Sequence, residues 1–279
     1  MIFTEASIWR MDYSGPPTVW RFDEVERGRG TRSADSVAWY GTNVFYYDPS
    51  GFYVFNGQGS TPIGDERVDK WFNRNLGNPL TIQGAVDRQN QLVMWGFKST
   101  GAANYNDRIL IFNFATNRWS WGEIETQYIS EYQSQSLTLD QLDTPLPGGI
   151  DANSINMDSQ AFATALNVQA FNGSNQACTF EGTPLMATLE TREVSFDEHG
   201  SMTRNIRPLV DGGVVTVQLG TRGAQDVTAT YSNQTSLNRI GEACIRKNAR
   251  FQRVRLEITG GFDFAQGVEV RTRQAGRRS

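Results

Sequence analysis

The only histidine, His199, lies in Asp197-Glu198-His199-Gly200, so a Ser-His-Asp relay or a histidine-based metal site would rest on this one residue. Such a polar stretch is expected as a solvated loop tip. Five carboxylates, Glu24, Glu26, Asp65, Glu66 and Asp69, are the candidates for a glycosidase pair, in which one acid protonates the leaving oxygen while the other attacks or activates water. Their spacing selects no pair, and Glu66 and Asp69, three apart near the start of a helical pattern, are explained by the helix dipole. Arg27-Gly28-Arg29-Gly30-Thr31-Arg32 joins glycines that free the backbone to arginines that pair with anions. It lacks the Lys-Ser/Thr ending of a phosphate-binding loop and no helix pattern follows it, so it is expected as a polar loop between sheets. Asp151-Ala152-Asn153-Ser154-Ile155-Asn156-Met157-Asp158 alternates oxygen ligands without the glycine and closing glutamate of a calcium loop. No catalytic residue, metal site or cofactor is therefore expected, and the chain reads as a protein that is not an enzyme.

The elements that would position these residues are strands. Apolar and aromatic residues come in runs of four to eight divided by Gly, Asn, Asp and Pro. Ser7 to Tyr13 and Thr18 to Asp23 alternate on either side of Gly15-Pro16-Pro17, which predicts a hairpin. Short turns at Gly41-Thr42-Asn43 and Asp48-Pro49-Ser50-Gly51 make the next three strands antiparallel neighbours. Further strands are expected at Thr81 to Val86, Leu92 to Phe97, Arg108 to Phe114 and Arg118 to Glu123. Val68, Trp71, Phe72 and Leu76 fall at helical spacing, predicting one helix of about three turns over Asp65 to Leu76. The polar stretch Leu137 to Asp158 reads as a protruding loop or insertion.

The sequence has 279 residues, 38% hydrophobic and 11% aromatic, with a net charge of -4. That composition supports a packed core and excludes both wholesale disorder and a surface built throughout to coat nucleic acid. No run approaches the roughly 20 apolar residues that span a bilayer, so no membrane anchor is expected. Cys178 and Cys244 lie far apart, without the paired spacing of a metal ribbon or redox motif, and are expected reduced.

All seven tryptophans precede Thr183. Before it, aromatic strand-turn-strand units recur irregularly at Val44 to Asn56, Leu92 to Asn113 and Val168 to Phe180, the pattern of β-propeller blades. After it come plain alternating strands, Leu185 to Val194, Val214 to Leu219, Val227 to Tyr231, Phe251 to Ile258 and Val268 to Arg273. The expectation is an all-β chain: a propeller-like body over 1–182, and a β-sandwich-like domain over 183–279. From Gly241 onward nine Lys/Arg face four Asp/Glu, a tail suited to an acidic surface or a phosphate backbone.

Five segments in this order resemble the tail hub, nozzle or packaged-DNA stabilisation proteins of tailed bacteriophages, which continue the portal channel. They are SIWRMDYSGPPTVWRFDEVERGRGT at Ser7 to Thr31, GFYVFNGQGSTPIGDERVDKWF at Gly51 to Phe72, IQGAVDRQNQLVMW at Ile82 to Trp95, DRILIFNFATNRWSW at Asp107 to Trp121 and IRPLVDGG at Ile206 to Gly213. The resemblance implies a propeller-like body and a ring under the portal. Its partners would be further copies of itself, portal, adaptor or other tail proteins, and double-stranded DNA in transit, within a virion assembled in the host cytoplasm. Members of the family carry more chain before the segment matching Ile2 to Tyr13, which implies a propeller completed by another chain or an open sheet edge used in assembly. Loop composition points to Arg27, Arg29, Arg32, Asp140, Asp143, Arg277 and Arg278 as interface residues. The alternative reading is a carbohydrate-binding propeller module that recognises a host glycan on exposed Trp and Tyr platforms.

Overall fold

The computed structural model describes residues 1–102, 104–133, 166–180, 182–196 and 200–274. Among the described residues the chain is all-β apart from one α-helix and two short 3-10 turns, and it divides into two compact units, Met1–Glu181 and Gly182–Ser279.

Among its described residues the first unit holds four antiparallel sheets, each a meander of consecutive strands. Sheet one holds β1 (Ile2–Phe3), β2 (Ser7–Tyr13) and β3 (Trp20–Arg27). Sheet two holds β4 (Ala38–Tyr40), β5 (Asn43–Asp48), β6 (Gly51–Phe55) and β7 (Ser60–Pro62). After α1 (Asp69–Asn75), sheet three holds β8 (Gln83–Asp87), β9 (Leu92–Phe97), β10 (Asn106–Asn113) and β11 (Arg118–Thr126). Sheet four holds β12 (Tyr128–Gln133), β13 (Leu166–Phe171) and β14 (Ala177–Thr179). Sheets two and three have the four-stranded meander of a propeller blade.

Strand alternation explains why these sheets stack face to face in chain order. In β9, Val93, Trp95 and Phe97 join a core that includes Phe45, Tyr47 and Phe52 of sheet two and Phe72 of α1. Met94, on the opposite face of the same strand, joins Ile129, Val168 and Ala170 of sheet four. Sheet two is used likewise: its Tyr46 and Phe55 turn away from Trp95 and pack with Ile8 and Phe3 of sheet one. Period-two alternation with apolar residues on both faces is the requirement for a sheet buried between two others.

The helix is shorter than its sequence pattern predicts, beginning at Asp69 rather than Asp65. Glu66 adopts a left-handed conformation, φ 58°. The amides of Arg67, Val68 and Asp69 all donate to the Gly64 carbonyl, closing a tight turn where the first helical turn would have been.

The second unit is a two-sheet, sandwich-like arrangement. Its larger sheet places β15 (Ala187–Glu190), β22 (Phe251–Thr259), β18 (Val214–Arg222) and β19 (Thr230–Tyr231) in that order, with β16 (Val194–Ser195) on β22 and β20 (Thr235–Ser236) on β18. The smaller has the order β21 (Ala243–Ala249), β17 (Ser201–Val210), β23 (Ala265–Gln274). Val215, Val217 and Leu219 of β18 and Val254, Leu256 and Ile258 of β22 meet Ile206, Ala243 and Ile245 of the smaller sheet. Gln252 crosses between the sheets, accepting from the Thr203 hydroxyl and donating to the Ser201 carbonyl.

The predicted strand Leu185 to Val194 is two short ones, β15 and β16, separated by 191–193. The central strand β17 is invisible to strand rules because it contains Pro208. Its pairing with β21 ends at Ile206, so the missing N–H of Pro208 costs no ladder bond on that side, while β23 runs on beside it.

Candidate assembly surface

Sheet one ends in an arm. Ile8 is fully buried, yet Arg10 and Asp12, on the same face of β2, are exposed, so the strand leaves the body between them. In the register of β2 with β3, Met11 faces Phe22 and Tyr13 faces Trp20, while Arg10 faces Asp23 and Asp12 faces Arg21. The arm therefore has two unlike faces. One is charged and self-paired: Arg10 lies 2.9 Å from Asp12 and 3.5 Å from Asp23, and Arg21 lies 3.0 Å from Asp23. The other is apolar and open to solvent, with Met11, Tyr13, Trp20 and Phe22 exposed by 41%, 67%, 48% and 53%. The Tyr13 and Trp20 rings meet edge to face at 5.4 Å. At the tip, the Ser14 amide donates to the Val19 carbonyl and its hydroxyl to the Thr18 carbonyl, which closes the hairpin.

The arginine-glycine loop anchors the base of this arm. Gly28 N–H donates to the Ala6 carbonyl and Thr31 N–H to the Thr4 carbonyl. A Cβ on Gly30 would lie 2.0 Å from the Thr4 carbonyl oxygen, so only glycine allows this backbone approach, and its N–H also reaches Asp48 Oδ1 at 3.1 Å. Of the predicted interface residues here, Arg29 is turned inward. It donates to the Ser60 carbonyl at 2.8 Å, pairs with Glu26 at 3.3 Å and covers the Tyr53 ring at 4.6 Å. Arg27 and Arg32 are exposed, reaching Glu24 at 3.2 Å and Glu5 at 3.9 Å. Asp140, Asp143, Arg277 and Arg278 lie outside the described residues, as do His199, the loop Leu137 to Asp158 and the oxygen-rich run Asp151 to Asp158.

Two of the candidate carboxylates, Glu26 and Asp69, are held by the fold, while Asp65 and Glu66 are exposed. Glu26 accepts from the Ser60 hydroxyl at 2.5 Å, and Asp69 accepts from the Phe52 amide at 3.2 Å. Asp69 is walled by backbone: a Cβ on Gly51 or Gly64 would come within 2.2 and 2.0 Å of its carboxylate oxygens. Burial, with a further push from Asp65, raises its pKa from 3.8 to about 6, although the Phe52 hydrogen bond opposes the rise. Between those two values the folded state holds more protons than the unfolded one, so this group's contribution to stability falls as pH rises from about 4 to about 6. Asp69→Asn keeps an oxygen for the Phe52 amide and removes the titration. Its melting temperature, relative to wild type, is expected to be higher at pH 7 than at pH 4, measured by thermal melts at both; an unchanged difference would contradict the assignment. Among the described residues no group of three or more His, Cys, Asp and Glu side chains could hold a metal ion, and both cysteines are free and exposed.

The two exposed tryptophans outside the arm are not open platforms. Arg88 covers Trp39 at 4.9 Å, and Trp121 lies against Trp71 at 5.1 Å with Arg108 over it at 5.4 Å. A cleft of about 620 Å³ beside β9 and β10 is lined mainly by neutral polar side chains, among them Asn78, Gln83, Asn104, Tyr105 and Asn106. Several of these bond to one another or to nearby backbone, as Asn106 does to Gln83 and to the Thr81 carbonyl.

The second unit carries a basic surface that residue spacing hides. Cross-strand register puts Arg207 opposite Glu269 and Arg271 opposite Asn205, while Arg204 stands at a bulge and Arg246 and Arg273 are exposed. Arg207 lies 3.9 Å from Glu269 and Arg271 3.3 Å from Glu242. The basic excess after Gly241 was the one sequence signal of this surface; the strand pairing that gathers Arg204 and Arg207 beside it lies far from that segment in sequence.

Among the described residues no helix is long and apolar enough to cross a membrane. No protein-family model matches the sequence, and no curated protein matches it. Among solved structures the chain is similar to a crystal structure of an exo-beta-1,3-galactanase from Phanerochaete chrysosporium with beta-1,3-galactotriose, at 10% identity, covering 95% of this chain and 75% of that one, with a TM-score of 0.28. That score is too low for the likeness to carry any argument about what this chain does.

Proposed function

We propose that this chain is a structural, non-enzymatic subunit of a tailed-bacteriophage virion, in the tail hub or nozzle or in the head-to-tail connection. Copies repeat as a ring under the portal and form part of the wall of the DNA channel. The observation that carries the reading is the two-faced arm of β2 and β3. A hairpin that satisfies its own charges on one face and leaves Met11, Tyr13, Trp20 and Phe22 in water on the other is built to be covered by protein. Its occupant in this reading is the neighbouring copy. At the other end of the stack of sheets, sheet four exposes the cross-strand pair Tyr128 and Phe171, an aromatic surface that head-to-tail repetition would bring towards the arm. The order of the five segments that resemble hub and nozzle proteins supports the same reading. So does the net charge of -4, because a wall that neutralised many phosphates would grip DNA and slow its exit.

Assembly without this chain tests the proposal. Infection by the phage that encodes it, with its gene interrupted, should give heads that lack tails or lose their DNA, as seen by electron microscopy. Complete, infectious particles would overturn the reading. A carbohydrate-binding module ranks second and is favoured by the neutral polar cleft beside Tyr105. Sugar-dependent retention in affinity electrophoresis, lost on Tyr105→Ala, would move the assignment to that reading.

A further inference from the structure

We infer that the arginine face of the second unit binds the acidic first unit of another copy of this chain. The inference rests on the ring reading above and adds to the arm a second contact between neighbouring copies. The two units carry opposite charge: residues 1–181 hold twelve Lys/Arg against twenty Asp/Glu, and residues 182–279 hold fourteen against ten. On the outer face of β17, β21 and β23, Arg204, Arg207, Arg246, Arg271 and Arg273 face two carboxylates, Glu242 and Glu269. Among the described residues, Arg204, Arg246 and Arg273 form no ion pair and no side-chain hydrogen bond. The first unit presents the complement. Glu123 and Glu125 lie exposed on the edge strand β11, and Asp65 and Glu66 lie exposed in the turn before α1.

Second-copy docking fits this face better than a phosphate backbone does. The arginines are interspersed with Glu269, Met202 and Cys244 on the sheet, the mixed composition of a protein interface, whereas a nucleic-acid surface would be hurt by the carboxylates. An interface between two different patches is heterologous, and repetition of it closes into a ring or extends as a filament.

The test uses the purified full chain, its mass followed by analytical ultracentrifugation at about 0.05 M and about 0.5 M salt. Wild type should associate at low salt and disperse at high salt. Arg246→Glu with Arg273→Glu should weaken association by about tenfold or more. Mixing that variant with a Glu123→Arg, Glu125→Arg chain should restore a mixed complex, which a merely misfolded variant could not do. A wild-type chain that stays monomeric at low salt, or a charge-reversed variant that associates normally, would overturn the inference. So would a variant that keeps self-association and instead loses retention of a duplex DNA fragment, because the face would then be a phosphate site. If these results go against the inference while the chain is still recovered from virions, only the inference falls; absence from virions would remove the ring reading itself.

Discussion

Virions assembled with Met11→Ser, Tyr13→Ser, Trp20→Ser and Phe22→Ser in place of the wild-type chain will contain about tenfold less of it or none, while the purified variant unfolds within a few degrees of wild type. The two halves of this expectation have one cause. All four side chains already lie in solvent, so their removal takes little from the core, and exposed substitutions away from special features usually shift stability by about 0.5 kcal/mol or less each. Their value is realised only when something covers them. Large aromatic side chains closing over one another at the centre of an interface are the residues whose loss costs most there. The charged face of the arm is untouched in this variant, and Arg10, Asp12, Arg21 and Asp23 keep the hairpin closed. Deleting Met1 to Tyr13 would be a blunter experiment, because it also removes Ile8 and Phe3 from the core shared with Tyr46 and Phe55. A four-residue variant that folds and still enters virions at the wild-type level would refute the role given to the arm.

The second large effect is on stability. Trp95 is fully buried at the centre of the first unit, where its ring lies 4.6 Å from Phe52 and 5.8 Å from Trp119 and its indole N–H donates to the Ser36 carbonyl at 3.0 Å. Trp95→Ala leaves a cavity between sheets two and three and orphans that carbonyl, a loss of about 3–5 kcal/mol. Whole domains are stable by only about 5–15 kcal/mol, so the first unit should melt about 10 °C lower or be recovered unfolded. Trp95→Phe fills most of the space but leaves Ser36 unpaired, and should lose roughly half as much. Circular dichroism melts of the three chains check the order; a Trp95→Ala chain as stable as wild type would contradict the packing described here.

The fold was legible where local pattern and tertiary environment agree. The alternation of Ser7 to Tyr13, the aromatic run Leu92 to Phe97 and the short turns at Gly41 and Gly51 encode meanders directly, because each strand's faces go to two different cores. It was less legible where context overrides pattern. Val68, Trp71, Phe72 and Leu76 suggest a helix from Asp65, yet the turn closed on the Gly64 carbonyl delays it to Asp69. Pro208 argues against a central strand, and only the early end of β21 makes room for it. The surfaces were harder still. Arg29 looks like an interface residue in sequence because its glycine neighbours suggest a free loop, whereas those glycines let the loop press against Thr4 and draw Arg29 onto Ser60 and Tyr53. The amphipathic arm was present in the alternation of β2 and β3. Nothing local, however, shows that the face with Met11, Tyr13, Trp20 and Phe22 is left bare, since sheet two packs on the opposite face, at Ile8.

Quantitative mass spectrometry of purified, DNA-filled virions, and of tails detached from them, tests the structural role most directly. It would count copies of this chain against the portal protein. The account predicts recovery with the tail or connector fraction in a small, fixed integer ratio to portal. Absence of the chain from both fractions would contradict it.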